Sequence, residues 1–292
     1  MREYPYKKVD AFTSAGSLGN PAACIYLKED QQLTHEEMLS IAVAHKSFVS
    51  EMVYCRETPS GIHLTYYSSE REVPFCGHGT IACMHSLIKH SPQLIQKPEI
   101  EIQTNMQGSL TVYNCIKEQD AVYITAPQPE YSEVVISAEL TAARLGIRKE
   151  ELNPQLPIKV IGAGMKTLIV PILSLATEIA ITPDFEPLKQ LCEENKIDIV
   201  LIFSLETAAS EFIAHTRVFP PRYGYLEDPA TGSGNSAFGY YMLRQGLWNG
   251  DAAAVEQGAA GVVYNTVRLA TLNDRVLFGG GATERISGVY CL

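Results

Sequence analysis

Short apolar runs dominate the chain. Lys8–Phe12, Ala22–Leu27, Met52–Cys55, Ile62–Tyr67, Ile100–Gln103, Ser109–Val112 and Ala121–Ile124 read as strands, each bounded by Gly, Pro, Asn or polar turn residues. Similar runs resume at Ile158–Ile161, Thr167–Pro171, Ile199–Ser204, Glu211–Phe219, Gly261–Leu269 and Arg275–Phe278. Helical spacing is rarer. Thr34 and Glu37 form a capping-box pattern, followed by Met38, Ile41, Ala42 and His45 at helical intervals. A second helix is predicted from Gly77, with Ile81, Met84, Leu87 and Ile88 in register. A third is predicted from Gly232, with Phe238, Tyr241 and Met242 on one face, stopping at Gly246. Ala138–Leu145 and Pro183–Glu194 give two more.

The second and third helices occupy matching places, more than half the chain apart. Each follows strands and opens from a glycine-bearing turn: Phe75-Cys76-Gly77-His78-Gly79-Thr80 and Asp228-Pro229-Ala230-Thr231-Gly232-Ser233-Gly234. The pattern predicts an α/β (α+β) fold of two similar halves, residues 1–126 and 127–281. Each would be a curved, mostly antiparallel sheet around one central helix. The Pro127–Ser132 segment, with Pro127 and Pro129, marks the boundary.

Composition narrows the partners. The 292 residues exceed the usual single-domain size, and 46% hydrophobic against 19% charged residues is ordinary globular composition, which disfavours disorder. A formal charge of -10 argues against nucleic acid and against anionic membrane surfaces. No apolar run reaches the roughly 18 residues of a membrane-spanning helix, and Met1–Asp10 lacks the apolar core of a signal peptide. The seven cysteines show no CxxC spacing, which argues against a disulfide framework and against a zinc site. Free thiols fit a reducing cytoplasm. The partner that remains is a small molecule.

Both glycine turns open helices, and a helix N-terminus is an anion site with unpaired N–H groups and partial positive charge. His78 lies in the first turn and Asp228 at the mouth of the second. Each has a plain structural alternative: Asp228 or Ser233 as an N-cap, His78 as a hydrogen-bonding residue, the glycines as tight turns. Glu51 lies in Phe48-Val49-Ser50-Glu51-Met52-Val53-Tyr54. Among apolar neighbours its pKa is expected to rise by desolvation, which suits a proton shuttle; the alternative is the polar side of an edge strand. Cys76, beside a helix start, is either an activated thiol or a small buried residue. There is no GxGxxG after a first strand, no GxxxxGK[ST], no GxSxG and no HExxH. The reading is an enzyme without cofactor or metal.

At these residues the chain resembles the phenazine-biosynthesis PhzF-like proteins. Val9-Asp10-Ala11-Phe12 with Gly19-Asn20-Pro21-Ala22-Ala23 is similar to their opening, Ser50-Glu51 to their catalytic Ser-Glu, and Cys76-Gly77-His78-Gly79-Thr80 to their Gly-His turn. Asp228-Pro229-Ala230-Thr231-Gly232-Ser233 resembles their most distinctive motif, and Glu256-Gln257-Gly258 and Gly279-Gly280-Gly281-Ala282 also fit. Two departures stand out: Phe48-Val49 precedes Ser50-Glu51 where many members read Asn-Leu, and Gly162-Ala163-Gly164 replaces their Ser-Thr-Gly.

The resemblance implies a diaminopimelate-epimerase-like fold with a C-terminal strand, 282–292, returning to the first half, and a homodimer. It implies a cofactor-independent isomerase acting on a small carboxylate, cyclic in the family's best-understood case, a dihydro-hydroxyanthranilate. Glu51 would be the proton shuttle, with His78 and Asp228 as the other catalytic residues. Ser50, Gly77, Gly232, Ser233 and Asn20 would bind substrate. Two other readings stay open: an amino-acid epimerase or racemase using Cys76, and a non-catalytic ligand-binding or interaction protein on the same fold.

Overall fold

The computed structural model describes residues 1–59 and 61–292. Packing divides the chain into one unit of Met1–Thr125 with Gly279–Leu292 and another of Ala126–Phe278.

The first unit contains β1 (Glu3–Ala11), β2 (Asn20–Leu27), α1 (His35–Ala44), β3 (Glu51–Thr58), β4 (Gly61–Tyr67), β5 (Glu72–Val73), α2 (Gly77–His90), β6 (Glu99–Thr104), β7 (Gly108–Cys115), α3 (Ile116–Gln119) and β8 (Ala121–Thr125). The second contains β9 (Glu130–Tyr131), α4 (Ala138–Leu145), β10 (Lys159–Gly162), β11 (Lys166–Pro171), α5 (Leu175–Ala180), α6 (Phe185–Glu194), β12 (Ile199–Ser204), β13 (His215–Phe219), α7 (Gly232–Arg244), β14 (Ala253–Gln257) and β15 (Asn265–Leu272). The strand β16 (Arg275–Gly280) leads back to the first unit. There β17 (Ala282–Cys291) pairs antiparallel with β1 along its length.

The two units share one topology. In the first, β1–β2, β3–β4 and β6–β7 are antiparallel, while β2–β3 and β4–β6 are parallel. In the second, β10–β11, β12–β13 and β14–β15 are antiparallel, while β11–β12 and β13–β14 are parallel. The parallel steps need crossovers. Helices supply them at matching places: α1 or the α5–α6 pair for the first crossover, α2 or α7 for the second.

The crossover helices α2 and α7 are central within their own units. From Gly79 to Ser86 every α2 residue is buried, and α2 packs on β1, β2, β3, β8 and β17. In α7, Gly234 to Met242 are all buried, against β10, β11, β12 and β15. A helix buried on every side has no solvent face for polar groups, so those of α2 find partners inside the unit. Thr80 Oγ1 donates to Cys76 O (2.8 Å) and shares a hydrogen bond with Tyr66 OH (2.7 Å), while Ser86 Oγ donates to Glu284 (2.7 Å).

Outer helices seal the other sheet faces. Ile41 and Ala42 of α1 pack with Ile25, Tyr54 and Tyr67, and Leu188, Leu191 and Cys192 of α6 pack with Leu168, Val170 and Val200. The start of α1 is a complete capping box: Glu37 N donates to Thr34 Oγ1 (3.2 Å) and Thr34 N to Glu37 Oε2 (2.9 Å). Thr34→Ala is expected to cost about 1 kcal/mol in urea unfolding and Thr34→Ser almost nothing.

The elements differ from the sequence pattern in several places. The strand expected over Glu211–Phe219 begins only at His215, and that expected over Gly261–Leu269 only at Asn265. The run Ala253–Gln257 forms β14, with Glu256 and Gln257 buried, which the apolar pattern does not reveal. The short α5 was likewise unforeseen, its centre being the buried Glu178.

Candidate active site

In the first unit, the turn before α2 meets the end of the β2–β3 crossover. Gly19 sets the entry. At φ +73 it favours glycine, and a Cβ there would lie 2.7 Å from Ala11 O. This close turn leads Asn20 into β2, opposite Ala11. Across the parallel pair, Ala22 stands level with Glu51 at the start of β3. Ser50, just before it, points its hydroxyl at Pro21 O (3.3 Å), Asn20 Oδ1 (3.4 Å) and His78 Nε2 (3.3 Å). Glu51 Oε2 lies 3.1 Å from the same Nε2. The contact is off hydrogen-bond alignment, so Oε2 is a buried oxygen without a hydrogen bond.

Cys76 is the N-cap of α2: Gly79 N donates to its Sγ (3.2 Å). A Cβ on Gly79 would stand 3.0 Å from that sulfur and 2.8 Å from Val53 Cγ2. Glycine is thus what lets the amide reach the thiol. On its far side the sulfur is 3.5 Å from His78 Nδ1. One imidazole therefore sits between a thiol and a carboxylate, on the first turn of a helix that Gly77 opens.

The electrostatics of the cluster correct one expectation. Burial raises Glu51, but the positive charge of His78 and the polar groups of His78 and Ser50 beside it outweigh this, and its carboxyl titrates below the ordinary value. Burial lowers His78, but Cys76 and Glu51 more than offset this and hold the imidazole well above its usual range. Burial also raises the Cys76 thiol. Near neutral pH the thiol therefore keeps its proton, so Glu51 supplies the charge facing the imidazolium and Cys76 only a hydrogen-bond partner.

In the second unit, Asp228 is buried and bridges to Val218 through its backbone N–H (2.9 Å). The N-cap of α7 is Thr231, so neither Asp228 nor Ser233 caps that helix. Thr231 turns its hydroxyl to Asp228 Oδ2 instead. Behind the turn lies Gln257, fully buried. Its Nε2 donates to Asp228 O (2.9 Å) and Thr231 Oγ1 (3.2 Å), and its Oε1 accepts from Thr231 N (2.9 Å) and Asn235 Nδ2 (2.7 Å). Three of these four hydrogen bonds shape the Asp228–Thr231 turn and the fourth ties it to Asn235 of α7. Sequence reasoning placed Gln257 only in a weak motif; a polar residue in a buried strand is the signal that marks it. Gly232 opens α7, and Ser233 Oγ donates to Met165 Sδ (3.1 Å) in the turn after Gly162-Ala163-Gly164.

The sequence reading set metals aside. Among the described residues, Glu51, Cys76 and His78 form a group able to hold one, their ligand atoms lying within 4.8 Å of one another. A further buried titratable pair went unforeseen. Glu178 Oε1 and His215 Nδ1 lie 3.2 Å apart with both side chains fully buried, and none of their four polar atoms makes a hydrogen bond.

Comparison with known proteins agrees with this architecture. At 31% identity over 263 residues, the chain is similar to the uncharacterized isomerase YfhB of Bacillus subtilis (strain 168), covering 88% of this chain and 87% of the relative. An uncharacterized isomerase of Clostridium acetobutylicum is 27% identical over 252 residues, covering 85% and 82%. The crystal structure of a Bacillus anthracis phenazine biosynthesis protein of the PhzF family shares the fold, with a TM-score of 0.86, 24% identity and full coverage of both chains. The family of phenazine biosynthesis-like proteins, PhzC-PhzF, matches residues 9–288, and the chain belongs to that family.

Proposed function

We propose that the protein is a cofactor-independent isomerase that relocates a proton on a small carboxylate, with Glu51 as the shuttle. The observation that carries this is the buried Glu51–His78 pair, in which Oε2 lies 3.1 Å from Nε2 without a hydrogen bond of its own. A carboxylate so placed has a lone pair available for a carbon-bound proton. The step balances within the substrate: Glu51 takes a proton from one carbon, the electron pair moves along the conjugated system, and Glu51 returns the proton at another carbon. The His78 imidazolium stabilises the negative charge that develops while the proton is away. Ser50, itself bonded toward Asn20 and Pro21, fixes the ring from the side.

The substrate carboxylate is assigned to the first-turn N–H groups at the start of α2, which Gly77 opens. With a formal charge of -10 on the chain, these local donors must overcome an unfavourable overall field. Asn20, whose Oδ1 lies 3.4 Å from Ser50 Oγ, is proposed as a further substrate contact. Asp228, held by Thr231 and Gln257, and Ser233 are the candidate binding residues of the second unit's own turn.

The test is proton NMR in D2O with chelator-treated protein, using a dihydro-hydroxyanthranilate and a panel of small cyclic and acyclic carboxylates. The expected result is an isomer carrying deuterium at a single carbon. Carboxylates that raise the melting temperature yet show neither exchange nor isomerisation would instead establish a binding protein.

A further inference from the structure

We propose that Glu51, Cys76 and His78 form a binding site for a thiophilic divalent metal ion of the zinc class. Cys76 Sγ, one imidazole nitrogen of His78 and one carboxylate oxygen of Glu51 lie mutually within 4.8 Å, and we take Nε2, which faces Glu51 Oε2, as the nitrogen ligand. Two separations are known closely: Nε2 to Oε2 is 3.1 Å and Sγ to Nε2 is 3.8 Å. A tetrahedral zinc with bonds of about 2.0–2.3 Å spaces its ligands roughly 3.3–3.7 Å apart. These two edges straddle that range.

A second observation points the same way. Glu51 Oε2 is buried, faces the other two ligands and makes no hydrogen bond, an arrangement that otherwise leaves a polar atom unsatisfied. The surroundings suit a metal thiolate. Gly79 N already donates to Sγ at 3.2 Å, the outer support a coordinating sulfur uses. The backbone also fixes the ligands: Cys76 is the N-cap, His78 lies in the first turn of α2, and Glu51 begins β3.

Chemistry selects the ion. A sulfur, a nitrogen and one oxygen disfavour Mg²⁺ and Ca²⁺, which require oxygen cages. Binding releases the Cys76 and His78 protons to solvent, and the thiolate and carboxylate that then face the ion together match the charge of a dication. Three protein ligands leave a fourth position open. If the isomerase reading holds, metal and substrate compete, because two of the three ligand atoms are those assigned to proton transfer. Metal binding itself is measured without turnover, so the two readings fail separately.

The experiment is a Co²⁺ titration of the chelator-stripped, full-length protein, followed by the thiolate-to-cobalt charge-transfer absorption, with Zn²⁺ added to displace the cobalt. One equivalent should saturate the band, Zn²⁺ should abolish it, and excess Mg²⁺ should leave it unchanged. Cys76→Ser should remove the band, His78→Gln and Glu51→Gln should each weaken binding by about 100-fold, and Cys291→Ser, at an exposed thiol on β17, should behave as the parent. No band in the parent, a band that survives Cys76→Ser, or one lost with Cys291→Ser overturns the proposal, and the parent titration decides even where a variant fails to fold.

Discussion

Glu51→Gln is expected to slow proton relocation by at least about 1,000-fold while leaving the fold intact. The substitution preserves size and a polar end, so the packing at the start of β3 survives. What disappears is a carboxylate able to accept and return a proton, a function worth about 10²–10⁴ in rate. Solvent-deuterium incorporation into substrate and product, followed by NMR on parent and variant side by side, reads the loss, and circular dichroism checks the fold. Cys76→Ala is the necessary companion. Burial keeps that thiol protonated, and its visible task is to accept the Gly79 amide at the helix start. It should cost less than about tenfold. The reverse ranking, a tolerant Glu51 and an indispensable Cys76, would move the chemistry to the thiol and favour an epimerase.

Much of the architecture is legible in the chain because its strands and central helices are marked by local signals. The α1 capping box, the glycine turns before α2 and α7, and the uninterrupted apolar run of β12 all act within a few residues of themselves. The matching of α2 and α7 was readable for the same reason. Illegible elements are those in which buried polar residues replace the apolar pattern. In β14 the buried Glu256 and Gln257 are satisfied by the Ala208 N–H and by the Asp228–Thr231 turn, partners distant in sequence. The strand β13 is legible within Glu211–Phe219, but the partners of its buried Arg217, Glu227 and the carbonyls of Glu178 and Ile181, are not.

The site divides along the same line. Glu51, Ser50, His78 and Asn20 are gathered in the first unit, around one imidazole, and their types were legible in the sequence. The sign of the Glu51 shift was not. It depends on an imidazole 27 positions away, and neighbouring apolar residues predict only the burial contribution, which His78 and Ser50 overcome. In the same way, Thr231 rather than Asp228 became the helix cap because Gln257, from β14, holds the turn.

The Glu178–His215 pair yields the sharpest expectation for stability. Burial raises Glu178 well above its ordinary 4.5, with Arg217 opposing and Glu256 and Glu227 adding to the rise. Burial and the Arg217 charge lower His215 from 6.5 to about 4. Tyr264, whose ring lies edge-on to His215 at 4.6 Å, faces the pair as well. Burial thus favours the neutral form of both groups, holding the proton on Glu178 above its ordinary range and leaving His215 neutral above about pH 4. Between pH 4.5 and 6.5 the unfolded chain holds its proton on His215 instead, so the two slopes oppose one another there. In Glu178→Gln only the histidine remains. Its folded-state pKa is depressed, so its contribution is complete above pH 6.5 and is lost as pH falls to about 4, amounting to about 3 kcal/mol. In His215→Gln only the acid remains. Its folded-state pKa is raised, so stability is complete below pH 4.5 and declines as pH rises above it. Urea unfolding of parent and both variants from pH 4 to 8 checks this, since differences between curves cancel all other titrating groups. Opposite slopes for the two variants between pH 4.5 and 6.5 are the expected result; parallel curves would mean that the buried pair titrates as it does in the unfolded chain.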